Sequence, residues 1–122
     1  MFQIDYRDIR PIYEQIADGI EDLILHGIYS ADAQLPSVRQ LATELSINPN
    51  TIQRAFSLLE SKGVIYSVKG KGNFVSADGA SVRTRRLAEI SAQLRALAKA
   101  ARDLGADDQT IAGWILGKEE TV

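Results

Sequence analysis

The feature that most constrains this chain is a pair of short helical segments separated by only about three residues. Ser37 follows Pro36 and has Gln40 three residues later, the pattern of a capping box at a helix start. Asn48 and Pro49 then restart a helix, because asparagine is a strong N-cap and proline fits the first helical turn. The spacing predicts two helices of about nine and thirteen residues joined by a tight turn, which is a helix-turn-helix motif.

Elements on both sides extend this motif. Isoleucines and leucines at helical spacing after Pro11 predict a first helix over residues 11–26, and the segment from there to Pro36 is expected to be a loop. After Gly63 the apolar pattern changes to a period of two, and Lys71 between two glycines reverses the chain, which predicts a β-hairpin. Three helices followed by a hairpin form a winged helix, so we expect a mainly α fold with a small β-hairpin.

A helical region follows the hairpin. Apolar residues recur there at intervals of three and four, which predicts a heptad seam along one long helix ending at Gly105. Asp107 or Asp108 can cap a shorter helix after it. The candidate dimerisation residues, on this apolar seam and on the shorter helix, are Leu87, Ile90, Leu94, Leu97, Ala101, Leu104, Ile111, Trp114 and Ile115.

An apolar seam of this length is unfavourable when it is exposed to water, and the shorter helix can cover only part of it. We therefore expect the rest of the seam to pack against a second copy of the chain. The alternative is that the tail folds back onto its own winged domain. The predicted organisation is a winged helix-turn-helix domain over residues 1–77 and a dimerisation region over residues 78–122.

A helix that enters the DNA major groove needs short polar side chains near its N-terminus to reach the base edges. The third predicted helix has such side chains, the second helix starts with a serine and an arginine, and the hairpin turn carries lysines and glycines. The candidate DNA-binding residues are Ser37, Arg39, Asn48, Asn50, Thr51, Gln53, Arg54, Lys69, Gly70, Lys71 and Gly72. Each of them taken singly suits a helix cap, a solvated surface or a tight turn, so the prediction depends on their joint order.

The distribution of charge is compatible with this prediction. The whole chain has a net charge of −2. Residues 37–76 nevertheless hold five bases against two acids, whereas residues 1–36 hold seven acids and two bases. A locally positive segment suits a protein that binds phosphate backbones, although the same charges would also suit an ordinary solvated surface.

Composition excludes several other classes of protein. The chain has no cysteine and one histidine, His26, and it has no carboxylate cluster with a basic or metal partner. We therefore expect neither catalysis nor a cofactor or metal. The N-terminus lacks the pattern of a signal peptide, and the longest aliphatic runs are too short to span a bilayer. We expect a cytoplasmic protein with no membrane partner.

Several blocks of the sequence resemble the DNA-binding domain of the GntR family of transcription regulators. They cover about residues 8–76, and the spacing between them is also similar to that of the family. The blocks are Pro11-Ile12-Tyr13-Glu14-Gln15-Ile16, Leu35-Pro36-Ser37-Val38-Arg39-Gln40-Leu41-Ala42, Asn50-Thr51-Ile52, Leu59-Glu60-Ser61-Lys62-Gly63 and Gly70-Lys71-Gly72-Asn73-Phe74-Val75.

The resemblance implies that Arg39 and the start of the third helix contact operator DNA, and that the wing glycine reaches the minor groove. The family often has an arginine where this chain has Pro49, so this departure removes one expected base contact and leaves base recognition to the neighbouring asparagines. The short tail is similar to that of the YtrA-like subfamily, whose two C-terminal helices dimerise. Members of that subfamily often repress transporter operons.

The resemblance thus implies a sequence-specific regulator, in the first place a repressor, that binds a palindromic operator as a homodimer. Its expected partners are double-stranded operator DNA and a second copy of the chain, and a small-molecule effector between the dimer helices is left open. The contrasting hypothesis is a winged-helix module that binds another protein instead of DNA. The polar and cationic face of the third helix favours DNA.

Overall fold

The computed structural model describes residues 3–117, which form five helices and one two-stranded antiparallel sheet. The elements are α1 (Ile12–Leu25), α2 (Val38–Leu45), α3 (Pro49–Ser61), β1 (Ile65–Val68), β2 (Gly72–Val75), α4 (Gly79–Asp103) and α5 (Asp108–Ile115). The predicted fold class, a winged helix-turn-helix with a small β-hairpin and following helices, is confirmed.

Local caps define the helix-turn-helix. The hydroxyl oxygen of Ser37 accepts a hydrogen bond from the Gln40 backbone N–H at 3.0 Å, and the Gln40 side-chain oxygen accepts one from the Ser37 backbone N–H at 2.9 Å. The predicted capping box is therefore present. Ser46 ends α2 in the left-handed conformation, with a φ of 56°. Asn48 then caps α3, so only three residues separate the two helices.

The core of the winged part lies around α3. Its apolar side chains recur at intervals of three and four, which places them on one buried face of the helix. This face packs against α1 and α2, and β1 packs against the same helix. The buried residues of α1 and α3 that build this core are Ile16, Ala17, Ile20, Ile24, Ile52, Ala55, Phe56 and Leu59.

The hairpin has a third extended neighbour that the sequence interpretation missed. The segment of residues 32–35, expected to be loop, pairs with β2 through backbone hydrogen bonds. Asp32 donates its N–H to the Val75 carbonyl at 2.6 Å, and Val75 donates to Ala33 at 2.9 Å. Leu35 donates to Asn73 at 2.9 Å. The wing is therefore bound along one edge to the segment that leads into α2.

The chain divides into two compact units, and the division falls within α4 between Thr84 and Arg85. The first turns of α4 belong to the winged unit, because Val82 is buried in its core. The backbone also approaches closely here: a Cβ on Gly79 would lie 3.2 Å from the Ile24 carbonyl oxygen. The sequence-based boundary after residue 77 stays a prediction.

Candidate nucleic-acid interface

The winged unit contains all eleven residues that the sequence assigned to DNA binding. Ten of them are exposed, and Thr51 is half-buried. They lie at three places: the start of α2, the first two turns of α3 and the turn of the hairpin. An exposed array of polar and cationic side chains is what contact with phosphates and base edges requires.

At the start of α3 the two asparagines have different tasks. The side-chain oxygen of Asn48 accepts a hydrogen bond from the Asn50 backbone N–H at 2.8 Å, so Asn48 acts as the helix cap. Asn50 and Gln53 are exposed. The exposed amide groups of these two residues are suited to contact a base edge, whereas the side-chain oxygen of Asn48 already accepts the capping hydrogen bond.

Arg54 is exposed, but it is not a free cation. Its guanidinium carbon lies 4.1 Å from the centre of the Tyr13 ring, a cation–π contact between α3 and α1. The sequence interpretation did not anticipate this contact. Because the guanidinium N–H groups lie at the edge of the stacked group, Arg54 can stack on Tyr13 and still donate hydrogen bonds to a phosphate.

The start of α2 presents Ser37 and Arg39. The Ser37 oxygen accepts the capping bond, which leaves its O–H able to donate outward. Arg39 is exposed, and within residues 3–117 no hydrogen bond or ion pair engages it. A cation without a protein partner, in the first turn of a helix whose N-terminus is itself positive, is suited to bind a phosphate.

The wing turn presents two further cations, Lys69 and Lys71, which are exposed together with the adjacent glycines. In the described part of the chain neither lysine takes part in an ion pair. The glycines adopt positive φ angles, 78° at Gly70 and 120° at Gly72, which side-chain-bearing residues rarely adopt. A narrow turn with two lysines can approach the DNA backbone or the minor groove closely.

A shallow groove runs beside the start of α2. The residues that line it are Tyr29, Gln34, Leu35, Pro36, Ser37, Arg39, Gln40, Thr43 and Glu44. Burial raises the pKa of the Tyr29 hydroxyl, and the nearby Glu44 carboxylate raises it further. Tyr29 therefore stays protonated at neutral pH, and the groove joins the two DNA-binding candidates at the start of α2 to the segment paired with the wing.

The helical unit keeps most of the predicted seam exposed. The side chains of Leu87, Ile90, Leu94, Leu97 and Leu104 are between 44% and 90% exposed, and Trp114 and Ile115 are similarly open at 57% and 60%. Ala101 is half-buried. Ile111 differs, because it is only 8% exposed in the single chain and has little surface left for a partner.

Two contacts fix the start of α5. Asp107 caps the helix by accepting the Thr110 backbone N–H at 2.8 Å, and this bond holds the pKa of the Asp107 carboxyl below its usual value of 3.8. Arg102 near the end of α4 donates to the Asp108 carboxylate at 2.6 Å. Of the two predicted caps, Asp107 is thus the one that the structure uses.

Other kinds of site find no support in the described residues. No three of their His, Asp or Glu side chains form a group that could hold a metal ion. None of the helices described over residues 3–117 is both long and apolar enough to cross a lipid bilayer.

The fold, with exposed amides on a capped third helix and cations at α2 and the wing, defines a winged-helix DNA-binding protein. The family profile described as bacterial regulatory proteins, gntR family, matches residues 12–75. The chain belongs to the GntR family. It is a DNA-binding transcription regulator and not an enzyme.

Similarity to individual proteins extends beyond the winged unit. The HTH-type transcriptional repressor YtrA of Bacillus subtilis is 37% identical over 116 residues, which cover 94% of this chain and 89% of that protein. The solved structure of a GntR family transcriptional regulator from Listeria monocytogenes is 34% identical, with a TM-score of 0.69. This match covers 93% of this chain and 100% of that one.

A solved complex with DNA is also similar. The DNA-binding domain of AraR in complex with operator ORR3 is 29% identical to this chain, with a TM-score of 0.55. The match covers 62% of this chain and 92% of that domain. The alternative hypothesis of a winged helix that binds protein in place of DNA is therefore not favoured.

Proposed function

We propose that this regulator is a repressor that binds a palindromic operator as a homodimer. Arg39 and the wing lysines Lys69 and Lys71 bind phosphates, and the exposed amides of Asn50 and Gln53 read base edges in the major groove. The backbone of the wing glycines lets the hairpin turn approach the DNA.

The observation that carries this proposal is the set of exposed cations without a protein partner in the described winged unit. Arg39 starts α2, and Lys69 and Lys71 form the wing turn. The other arginine of this region, Arg54, is held on Tyr13 and remains exposed. A cation that has no protein partner can bind a phosphate without breaking an ion pair, so little free energy is lost. These cations therefore favour nucleic acid as the partner.

Dimerisation through the helical unit is supported by its exposed apolar residues. Leu87, Ile90, Leu94 and Leu97 recur on α4 at the intervals of a heptad seam, and Leu104 directly after the helix continues the pattern. A second copy of the chain carries the same seam, so a two-fold dimer would cover both. We assign residues 78–122 to dimerisation on this ground, with Ile111 as a residue of the protomer's interior.

Repression is supported by the name of YtrA, a relative that matches nearly the whole chain. A regulator that binds operator DNA works in the cytoplasm, and we assign the protein to that compartment. Any small-molecule effector would bind between the helices of the two copies, a space that only the dimer provides.

The test is a titration of a fluorescent duplex from the region upstream of the protein's own gene, with a scrambled duplex of equal composition as the control. We expect the upstream duplex to bind at least about a thousandfold more tightly, which is the lower end of the usual range for specific over non-specific binding. Failure to bind any duplex would contradict the proposal and favour a protein partner.

A further inference from the structure

The wing turn is bound to the segment that precedes α2 by a side chain that the sequence did not single out. The side-chain amide of Gln34 donates a hydrogen bond to the Lys71 backbone carbonyl at 2.8 Å. These residues are 37 positions apart in the chain. Gln34 also forms the isolated backbone bridge to Phe74, so its backbone and its side chain both hold the wing.

The geometry around Gly72 leaves room for this contact. A Cβ on Gly72 would lie only 3.2 Å from the side-chain nitrogen of Gln34. The glycine thus serves two purposes, since it adopts a φ of 120° in the turn and it admits the Gln34 amide beside the Lys71 carbonyl.

A second contact strengthens the base of the same assembly. The Tyr66 hydroxyl on β1 donates to the Asp32 carboxylate at 2.8 Å, and its ring stacks on Phe74 of β2 with the ring centres 5.6 Å apart. Residues 32–35 therefore hold both strands of the hairpin, β1 through a side chain and β2 through its backbone.

This arrangement matters because an isolated two-stranded hairpin is marginally stable in water. With four residues in each strand, the wing would sample many positions if it stood alone. A wing held in place loses less conformational entropy on binding DNA, which increases affinity without any new contact to the DNA. Gln34 lies three residues before Ser37, so the same short stretch of backbone controls the wing and the start of α2.

We propose that Gln34 is a positioning residue for DNA binding: its amide holds the wing turn at a fixed distance from the start of α2, so that Lys71 meets the DNA in a preorganised position. Gln34 acts through the wing, and its own side chain is occupied by the Lys71 carbonyl. The inference rests on the proposed function, because a fixed wing aids binding only if the wing contacts DNA.

A double-mutant cycle tests it. Gln34→Ala is measured on the upstream duplex in three backgrounds: the wild-type chain, Arg39→Ala and Lys71→Ala. One hydrogen bond lost at an exposed position should weaken binding about threefold to tenfold in the wild-type and Arg39→Ala backgrounds. In the Lys71→Ala background the loss should fall below about twofold, because the wing contact that Gln34 supports is then already missing.

The matched control is Gln109→Ala, an exposed glutamine of α5. It lies two residues before Ile111 and therefore on the opposite side of that helix, and its replacement should leave the affinity unchanged. An equal loss on Gln34→Ala in all three backgrounds would show that Gln34 acts independently of the wing and would overturn the proposal. The proposal is equally overturned if Gln34→Ala or Lys71→Ala binds as the wild type.

Amide hydrogen exchange without DNA separates this inference from the proposed function. The Lys71 N–H, which donates to the Val68 carbonyl at 2.9 Å, should exchange at least about threefold faster in Gln34→Ala. The N–H of Ile52 in the core should be unaffected. Unchanged exchange at Lys71 would contradict the positioning role. A wild-type protein that binds no duplex would instead contradict the proposed function.

Discussion

Single side chains in the winged unit divide into those that the fold uses and those that it leaves to a partner. The Asn48 oxygen caps α3, and the Arg54 guanidinium stacks on Tyr13. Arg39 and Lys71 are exposed, and no hydrogen bond or ion pair of their side chains occurs among the described residues. This division predicts which substitutions affect binding without affecting stability.

The Arg39→Ala and Lys71→Ala substitutions should each weaken binding to the upstream duplex about tenfold, because each removes a cation of the proposed interface. The free energy of unfolding, measured by urea denaturation, should stay within about 0.5 kcal/mol of the wild-type value, as for other exposed positions. Lys99→Ala is the matched control. It removes one exposed positive charge, paired with Asp103 on α4, and should change neither quantity. Wild-type affinity in both alanine variants would exclude the proposed interface.

Three of the helices described over residues 3–117, namely α2, α3 and α5, begin at a residue whose side chain caps the helix. Ser37, Asn48 and Asp107 each accept a backbone N–H at the start of a helix. The Asp107 carboxylate is the charged member of this set, and the Thr110 N–H that it accepts stabilises the ionised form and lowers its pKa. The pKa of Asp107 is lower in the folded than in the unfolded chain. Asp107 therefore stabilises α5 at pH values above its unfolded-state pKa, and this contribution is lost as the pH falls through its folded-state pKa.

We therefore predict that the capping hydrogen bond at the start of α5 is lost only at acidic pH. A titration of the Thr110 amide by NMR should show a transition whose midpoint lies below 3.8, the usual value for aspartate. Asp107→Asn keeps an oxygen that can cap the helix but cannot titrate, so the transition should disappear while α5 remains formed. A midpoint at or above 3.8 would mean that the carboxylate does not cap α5 in solution.

These elements also show how far sequence reasoning extends. The capping box at Ser37 and the cap at Asn48 could be predicted because both signals lie within three residues of the helix that they start. The pairing of residues 32–35 with β2 could not, since it joins segments about forty positions apart. Leu35 precedes a proline, which favours an extended backbone but identifies no partner strand.

The candidate site follows the same rule. The residue types exposed on α2, α3 and the wing could be read from motif and periodicity. The contact of Arg54 with Tyr13 could not, because it joins side chains of two helices that meet only in the fold. For Ile111 the sequence could not distinguish two kinds of burial, because its spacing is the same whether it faces a partner or the interior of its own chain.

For the whole molecule, the proposed function requires two winged units held by one dimer. A two-fold dimer presents its two recognition helices to two half-sites, so the operator should be a palindrome with half-sites whole helical turns apart. Binding both half-sites at once gives much higher affinity than one winged unit can reach. Loss of the proposed dimer should therefore affect DNA binding, although the seam residues are not among the predicted DNA-binding residues.

Leu94→Glu should convert the proposed dimer into a monomer, because it places a charge in the middle of the apolar seam. Leu94 is 44% exposed in the single chain, so the protomer should remain folded. Analytical ultracentrifugation gives the oligomeric state, and affinity for the palindromic duplex should fall at least about tenfold.

The matched control for the seam is Ala92→Glu. Ala92 is exposed, and it lies two residues before Leu94 and therefore on the opposite side of α4. The same charge added there should leave the protein dimeric and its affinity unchanged. A Leu94→Glu protein that remains a dimer would place the interface elsewhere.

The most direct test of the central claim is the binding of the wild-type protein to the upstream duplex and to its scrambled control at several salt concentrations. We predict selective binding that weakens steeply with salt. In a plot of the logarithm of the binding constant against the logarithm of salt concentration, each phosphate contact should steepen the slope by about 0.9. Selectivity would support base recognition by the exposed face of α3, and the slope would give the number of phosphates that the cations of α2 and the wing are proposed to contact. A folded protein that binds neither duplex at low salt would contradict the claim.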